Sequence, residues 1–378
     1  MSFGKLIGKT SLMPLKSLFK DTQCEIYGKA EFMNPGGSVK DRAALYLLNE
    51  VDDKVNAGHI KAKDVTVVEG SAGNTAIALL HLCRSKGYKS VMFMPDTQSP
   101  EKIELLRILG AEVHPVPVKP FSDPNNYNHL ARNFANSHKN HFWTNQFDNT
   151  ANMQSHYETT GPEILKDCIR LKKTIKKPAV FLKEGTPEFY KFSFTPKPYD
   201  ISGSFSLPLS AFVCATGSGG TLAGVAKFLK ENSPQTRIVL ADPPGAVLFN
   251  AVKSNLKTLT PIGSGSITEG IGQGRITANL KTEFHHIDDA VHVTDDETIN
   301  MVFKMLDEEG LLIGASTALN VVSAVKVAKM LGPGHRVVTI LCDTGHKYQS
   351  RLFSRKWLES KKLYNVLEER YKKYVILK

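Results

Sequence analysis

A lysine stands at an unusual place in the run Asn34-Pro35-Gly36-Gly37-Ser38-Val39-Lys40-Asp41-Arg42. A glycine turn leads there into a stretch of helical period, with Ser38 as the expected N-cap. Lys40 then falls in the first helical turn. A cation in that turn opposes the positive end of the helix dipole. The same cost favours the neutral amine, which is the nucleophilic form of lysine. Position alone also fits an ordinary solvated surface lysine.

Two further turns have chemistry in them. Gly217-Ser218-Gly219-Gly220-Thr221 follows an apolar run and opens a helix. Its glycines let backbone N–H groups approach an anion, and the helix end favours phosphate. No Gly-Lys-Ser/Thr closes it, so it is no P-loop, and it lacks the acid of a dinucleotide fingerprint. A single phosphate site and a purely structural turn both fit it. Ser71-Ala72-Gly73-Asn74-Thr75 is also a strand-to-helix turn, with hydroxyls, an amide and free N–H groups suited to a carboxylate. Simple capping accounts for it about as well. Taken together, an imine-forming lysine, a phosphate turn and a carboxylate turn suggest pyridoxal 5′-phosphate acting on an amino acid.

The elements that must position these turns alternate. Apolar runs at 65–70, 89–95 and 111–116 are separated by helical patterns at 39–53, 74–87 and 99–110, the last with Ser99 as N-cap. The rhythm resumes with strands at 211–216, 237–243 and 336–345 and with helices after the glycine turn, at 296–310 and at 316–330. Short strands alternating with helices predict βαβ units and parallel sheets. Residues 175–208 break the pattern with prolines and scattered aromatics and read as an exposed insertion.

The motif around Lys40 closely resembles the lysine motif of the cysteine synthase and cystathionine β-synthase family, fold type II of the pyridoxal phosphate enzymes. The resemblance runs from about Gly4 to Phe353, with the motifs in the family's order. It implies an α/β fold of two doubly wound domains. The larger, cofactor-binding one takes 1–45 and 151–378; the smaller, mobile, substrate-binding one takes 46–150. It implies that Lys40 is the Schiff-base lysine and later the base for the Cα proton. Ser71, Ala72, Gly73, Asn74 and Thr75 become the carboxylate loop, with Asn74 also on the cofactor's ring hydroxyl. Gln146 reaches the same carboxylate. Gly217, Ser218, Gly219, Gly220 and Thr221 become the phosphate cup. Gly270, within Glu269-Gly-Ile-Gly272, lines the site, and Ser316 faces the pyridine nitrogen. Cys342-Asp-Thr-Gly345 resembles the loop that closes near the ring. A neutral hydroxyl at 316 does not force that nitrogen to protonate, which suits elimination at Cβ.

The reaction so implied is β-replacement. An activated serine, O-acetyl-L-serine first among them, loses its β-substituent to leave an α-aminoacrylate, and sulfide adds to give L-cysteine. Two alternatives stay beside it: β-elimination, as a cysteine desulfhydrase or serine dehydratase, and a non-catalytic scaffold. Ala72 stands where the family has serine, and Ala76 where it has glycine. Losing one hydroxyl there weakens substrate binding by about 1–3 kcal/mol. The resemblance also implies a homodimer. The segments Ala241-Asp-Pro, Glu269-Gly-Ile-Gly and Ser316-Thr-Ala-Leu-Asn-Val-Val are most similar to the fungal mitochondrial branch, which implies mitochondria, with the cytoplasm as the other setting. The chain ends too soon after Phe353 for a regulatory tandem module of the cystathionine β-synthase kind.

Composition bounds the rest. The chain has 378 residues, 41% hydrophobic and 22% charged, which excludes a disordered tail or a collagen. No apolar run approaches the ~18 residues of a membrane span. Five widely spaced cysteines form no C-x-x-C pair, so buried thiols in a reducing compartment are expected and a structural zinc is not. The first ten residues have no apolar core of a secretory signal, and residues to 20 read as a first strand and turn rather than a presequence. The net charge of +11 is concentrated. Residues 166–200 carry nine Lys/Arg against four acids, and 347–378 carry ten against three. No nucleic-acid motif accompanies them. Two solvated basic surfaces, or contact with an anionic surface, are the readings open.

Overall fold

The computed structural model describes residues 3–71, 73–98, 100–174 and 208–377. Ala72, Ser99 and nearly all of the expected insertion at 175–208 lie outside the described residues.

Among the described residues, ten strands form two sheets. They are β1 (Leu12–Pro14), β2 (Glu25–Ala30), β3 (Thr66–Gly70), β4 (Lys89–Pro95), β5 (Glu112–Val116), β6 (His141–Trp143), β7 (Ala211–Ala215), β8 (Arg237–Asp242), β9 (Asp289–His292) and β10 (Arg336–Leu341). One sheet has the order β1-β2-β10-β7-β8-β9, the other β5-β4-β3-β6. All pairings are parallel except that of β1 with β2. The expected α/β architecture is present.

Period-two burial shows why these strands are apolar throughout. On β7, Ala211, Val213 and Ala215 pack toward the layer of helices Asp295–Glu309 and Ala315–Leu331. Phe212 and Cys214 pack toward Gly161–Thr174 and Gly220–Asn232. Val67 on β3 and Met92 on β4 lie with the helix Asn74–Lys86, while Val68, Val91 and Phe93 face the helix Tyr127–Asn136. Each sheet is covered on both faces, as parallel sheets require. All five cysteines are free and buried, as expected.

Local differences have local causes. The helix expected over 39–53 is two helices, Lys40–Leu47 and Asn49–Asn56, with Leu48 at the joint. Its N-cap is Val39 rather than Ser38, although the Ser38 hydroxyl accepts the Lys40 N–H at 3.3 Å. Gly87 ends the helix Asn74–Lys86 in the left-handed conformation, as its position predicts. β2, β6 and β9 escaped the apolar-run reading. β6 and β9 are only three and four residues long, and β2 carries charges.

Those charges are structural. Lys29 on β2 is fully buried, with its Nζ 2.9 Å from Glu163 Oε2 and donating to the Thr10 carbonyl at 2.6 Å. Arg42, also buried, donates from Nε and Nη2 to Glu31 at 2.7 and 2.8 Å and from Nη1 and Nη2 to Glu163 at 2.9 and 2.8 Å. This network pins the helix that begins at Lys40 to β2 and to the helix Gly161–Thr174. Its bonds hold the Glu163 carboxyl at about 2 against the cost of burial. A depressed carboxyl stabilises the fold fully above its unfolded value near 4.5 and loses that contribution as pH falls through the folded one. Wild-type stability is therefore expected to decline from about pH 4.5 toward pH 2, with part of that slope absent in Glu163→Gln. Urea unfolding across that window measures it; identical slopes would contradict the assignment.

Candidate active site

Every glycine turn singled out by sequence lies at the carboxyl ends of parallel strands, where such sheets take ligands. Lys40 follows β2, the 71–75 turn follows β3, Gln146 follows β6, the 217–221 turn follows β7, and Gly270 follows β8. They meet in a cleft of about 960 Å³ between the two sheets. Its lining includes Lys40, Ser71, Gly73, Asn74, Thr75, Gln146, Ser218, Gly270 and Ser316. A smaller cavity beside it is lined by Lys40, Gly217, Ser218, Gly219 and Thr221. Lys40 and Ser218 border both. Gly220 starts the helix behind the turn and is buried.

Lys40 is held by its surroundings rather than by a partner for its amine. Val39 N–H donates to the Cys342 carbonyl at 2.9 Å, and Ser38 bridges Asp343. Gly36 N–H donates to Asp41 Oδ2 at 2.5 Å, closing the turn. Burial lifts the Asp41 carboxyl to about 7. No hydrogen bond or ion pair engages the Lys40 Nζ among the described residues.

The carboxylate turn is braced from beneath. Glu69, fully buried at the end of β3, accepts from Thr144 Oγ1 at 2.5 Å, Gly70 N at 2.9 Å and Gln146 N at 3.2 Å. Burial raises its carboxyl to about 7. Thr75 Oγ1 donates to Gln146 Oε1 at 2.6 Å, and Gln146 Nε2 donates to the Gly70 carbonyl at 3.3 Å. The Gln146 side chain also bears on the Glu69 carboxylate, so its amide is held on both sides beneath the cleft it lines. The Ser71 hydroxyl accepts from Gly73 N at 3.3 Å.

The phosphate turn fits its expected occupant. Gly219 takes φ +86° just before the helix Gly220–Asn232, a conformation that glycine adopts at no steric cost. A Cβ at Gly217 would overlap the Gly270 carbonyl oxygen. Asn152 Nδ2 donates to Ser218 Oγ at 2.8 Å, which leaves the serine proton free to donate. The buried Thr216 Oγ1, one residue before the turn, has no partner among the described residues. Thr221 Oγ1 is 3.1 Å from Nε2 of the fully buried His156, whose pKa burial holds well below its ordinary value. Unpartnered donors around a glycine-lined hollow at a helix start suit a phosphate. Ser316, buried at the start of the helix Ala315–Leu331, offers a neutral hydroxyl in the same cleft, next to Cys342.

Lys347, Tyr348 and Lys102 carried no clear sequence signal, although Asp343 and Glu269 beside them lie in the Cys342-Asp-Thr-Gly345 and Glu269-Gly-Ile-Gly272 segments. Lys347 donates to the Asn74 amide oxygen, Asn74 Nδ2 donates to Asp343, and Tyr348 donates to the same Asp343 carboxylate. Lys102 pairs across the cleft with Glu269, which also accepts from Arg351 Nη1 at 2.5 Å. A lysine on the cleft-facing side of 99–110, opposite an acid in a glycine segment, becomes visible only once the two sheets are placed. The basic tail is partly neutralised by ion pairs of Arg355, Arg370, Lys372 and Lys373 with nearby acids. Among the described residues no helix is long and apolar enough to cross a membrane, and no cluster of metal-ligating side chains occurs.

Comparison with known proteins agrees with this geometry. Residues 4–182 and 199–343 match a family described as pyridoxal-phosphate dependent enzyme. The chain is 50% identical over 372 residues to cysteine synthase 1 of Neurospora crassa, covering 98% of this chain and 88% of the relative. It is 49% identical to cysteine synthase 1 of Emericella nidulans, covering 98% and 89%. Among solved structures, an O-acetylserine dependent cystathionine beta-synthase from Helicobacter pylori aligns with TM-score 0.71 at 28% identity, covering 93% and 97%. A hydrogen sulfide-producing enzyme from Fusobacterium nucleatum aligns with TM-score 0.71 at 30% identity, covering 92% and 97%.

Proposed function

The chain belongs to the family of pyridoxal-phosphate dependent enzymes, and from that premise we propose that it makes L-cysteine from O-acetyl-L-serine and sulfide by β-replacement. The observation that carries this reading is the meeting of Lys40, a phosphate-sized glycine turn and a braced carboxylate turn on one cleft. The names of the fungal relatives and of the Helicobacter pylori structure support the substrates.

Pyridoxal phosphate supplies an aldehyde for the amino group and a ring that draws electrons from Cα. The chain's own residues do the rest. The N–H groups of 217–221, with the Ser218 and Thr221 hydroxyls, would hold the phosphate. Ser71, Gly73, Asn74 and Thr75 would hold the substrate carboxylate at the start of the helix Asn74–Lys86, with Gln146 beside them. Lys40 Nζ, without a competing partner among the described residues, would take the Cα proton. Ser316 would stand beside the ring nitrogen as a neutral hydroxyl, which does not force that nitrogen to protonate. Gly270 lines the same cleft. Residues 46–150 form the smaller unit that swings over the substrate, and 1–45 with 151–378 the larger one. A homodimer in mitochondria or cytoplasm is the setting the family likeness supports; five free buried thiols suit a reducing compartment.

A second reading, β-elimination with release of sulfide from cysteine, uses the same residues and is supported by the Fusobacterium nucleatum neighbour. Product analysis separates the two. Cysteine formed rapidly from O-acetyl-L-serine and sulfide is the expected outcome. Faster release of sulfide and pyruvate from cysteine alone would move the assignment to elimination.

Gly217→Ala gives a further check. Its Cβ would press on backbone at Gly270 rather than on a flexible side chain. Overpacking of this kind costs about 1–3 kcal/mol. Cofactor retention on dialysis is expected to weaken by about tenfold or more, ~1.4 kcal/mol per factor of ten. Unchanged retention would remove Gly217 from the phosphate site.

A further inference from the structure

Lys347 is a cation that the turn motifs do not explain. It is half-buried and lines the cleft. Its Nζ donates to Asn74 Oδ1 at 2.8 Å. The other end of that amide, Asn74 Nδ2, donates to Asp343 Oδ2 at 2.7 Å. The same carboxylate oxygen accepts from Tyr348 OH at 2.6 Å, and Asp343 is fully buried. Lys347 also stands against the turn that carries Lys40, since a Cβ at Gly37 would lie 3.6 Å from its Nζ.

An asparagine amide has two ends of similar shape and opposite hydrogen-bonding character. A half-turn about its terminal bond would here bring the NH₂ group against the Lys347 ammonium. It would also bring the carbonyl against the Asp343 carboxylate. Both contacts are repulsive, so the amide has one orientation, fixed at its oxygen by Lys347 and at its nitrogen by Asp343. One Nδ2 proton is left over, and Asn74 lines the cleft. Asn74 follows a strand of the four-stranded sheet, whereas Asp343 and Lys347 follow β10 of the six-stranded one. The contact therefore spans the cleft.

We propose that Lys347 is a positioning residue that acts through Asn74: it fixes the amide so that the remaining N–H points at the bound cofactor, and it ties the 342–348 loop to the helix Asn74–Lys86. This rests on the reading that Asn74 contacts the cofactor. Lys347 itself touches neither substrate nor reacting atoms in this scheme. A hydrogen bond from a charged group to a half-buried amide is stronger than one between neutral groups, so its loss has a measurable consequence for the cofactor.

The test uses holoenzymes of wild type, Lys347→Met, Lys347→Arg and Asn74→Ala, and the double variant Lys347→Met/Asn74→Ala. The readouts are the half-time of pyridoxal phosphate release on dilution, the position of the visible band, and kcat and KM measured separately. Lys347→Met is expected to release cofactor about tenfold faster, to shift the band and to lower kcat more than it raises KM. Its melting temperature should stay near that of wild type. Lys347→Arg should restore all three, because the guanidinium can donate to the same oxygen. In the Asn74→Ala background, Lys347→Met should add nothing. If Lys347→Met keeps the wild-type release rate and band while Asn74→Ala changes both, the role of Lys347 is overturned and that of Asn74 stands. If Asn74→Ala itself behaves as wild type, both are overturned. Should Lys347→Met not fold, Lys347→Leu removes the same donor with a shorter side chain and is read by the same outcomes.

Discussion

Turnover of Lys40→Ala is expected to fall by at least about a thousandfold, since the amine serves both as covalent anchor and as base. Fold stability should not fall with it. Lys40 is the first residue of its helix, and its Nζ makes no bond among the described residues. Alanine is the better helix former and removes a cation from the unfavourable end of the helix dipole. The melting temperature should therefore hold or rise slightly while activity disappears. Steady-state assay and thermal unfolding of one preparation check both halves. A variant that turned over at the wild-type rate would remove Lys40 from the chemistry. A variant that lost activity only by unfolding would show the lysine to be structural.

Arg42→Met has the opposite signature. The guanidinium is buried, and it bonds Glu31 and Glu163 through four contacts of 2.9 Å or less. Glu31 is fully buried as well and would be left charged. Removing one partner of a buried pair costs about 3–5 kcal/mol, a large share of the ~5–15 kcal/mol that holds a typical protein folded. The variant should unfold at clearly lower urea concentration. Arg42→Met/Glu31→Gln should recover part of the loss, because the stranded charge is then gone. Unfolding of Arg42→Met at the wild-type midpoint would show that the network contributes nothing. The result bears on function because this network fixes the helix that begins at Lys40.

The parts of the site readable from the residues alone are the backbone turns and the lysine that one of them carries. Gly217, Gly219 and the turn at 71–75 announce themselves because a close approach or a helix start demands particular residue types. The apolar runs were readable because both faces of each parallel sheet are covered. What stayed hidden depends on long-range pairing. Lys29 sits in a short strand whose buried charge makes sense only beside Glu163, 134 positions away. Short strands such as β6 carry too few residues to show a period. Lys347 and Lys102 look like surface lysines until the two sheets face each other. Asn74 was expected to meet the cofactor's ring hydroxyl. The structure adds that its amide is already oriented by Asp343 and Lys347. Even the shortfall at Ser38 is of this kind. The residue before the helix is set by the bridge to Asp343 rather than by capping preference.

The most direct test of the whole account is the visible absorption spectrum of the purified holoenzyme, recorded before and after O-acetyl-L-serine and again after sulfide. The account predicts a visible band in the resting protein, a shift of that band on adding O-acetyl-L-serine alone, and its return when sulfide is added, with cysteine appearing in step. A resting band that O-acetyl-L-serine leaves untouched would contradict the proposed substrate. The absence of any band, even after incubation with pyridoxal phosphate, would contradict the assignment of Lys40 and of the phosphate turn together.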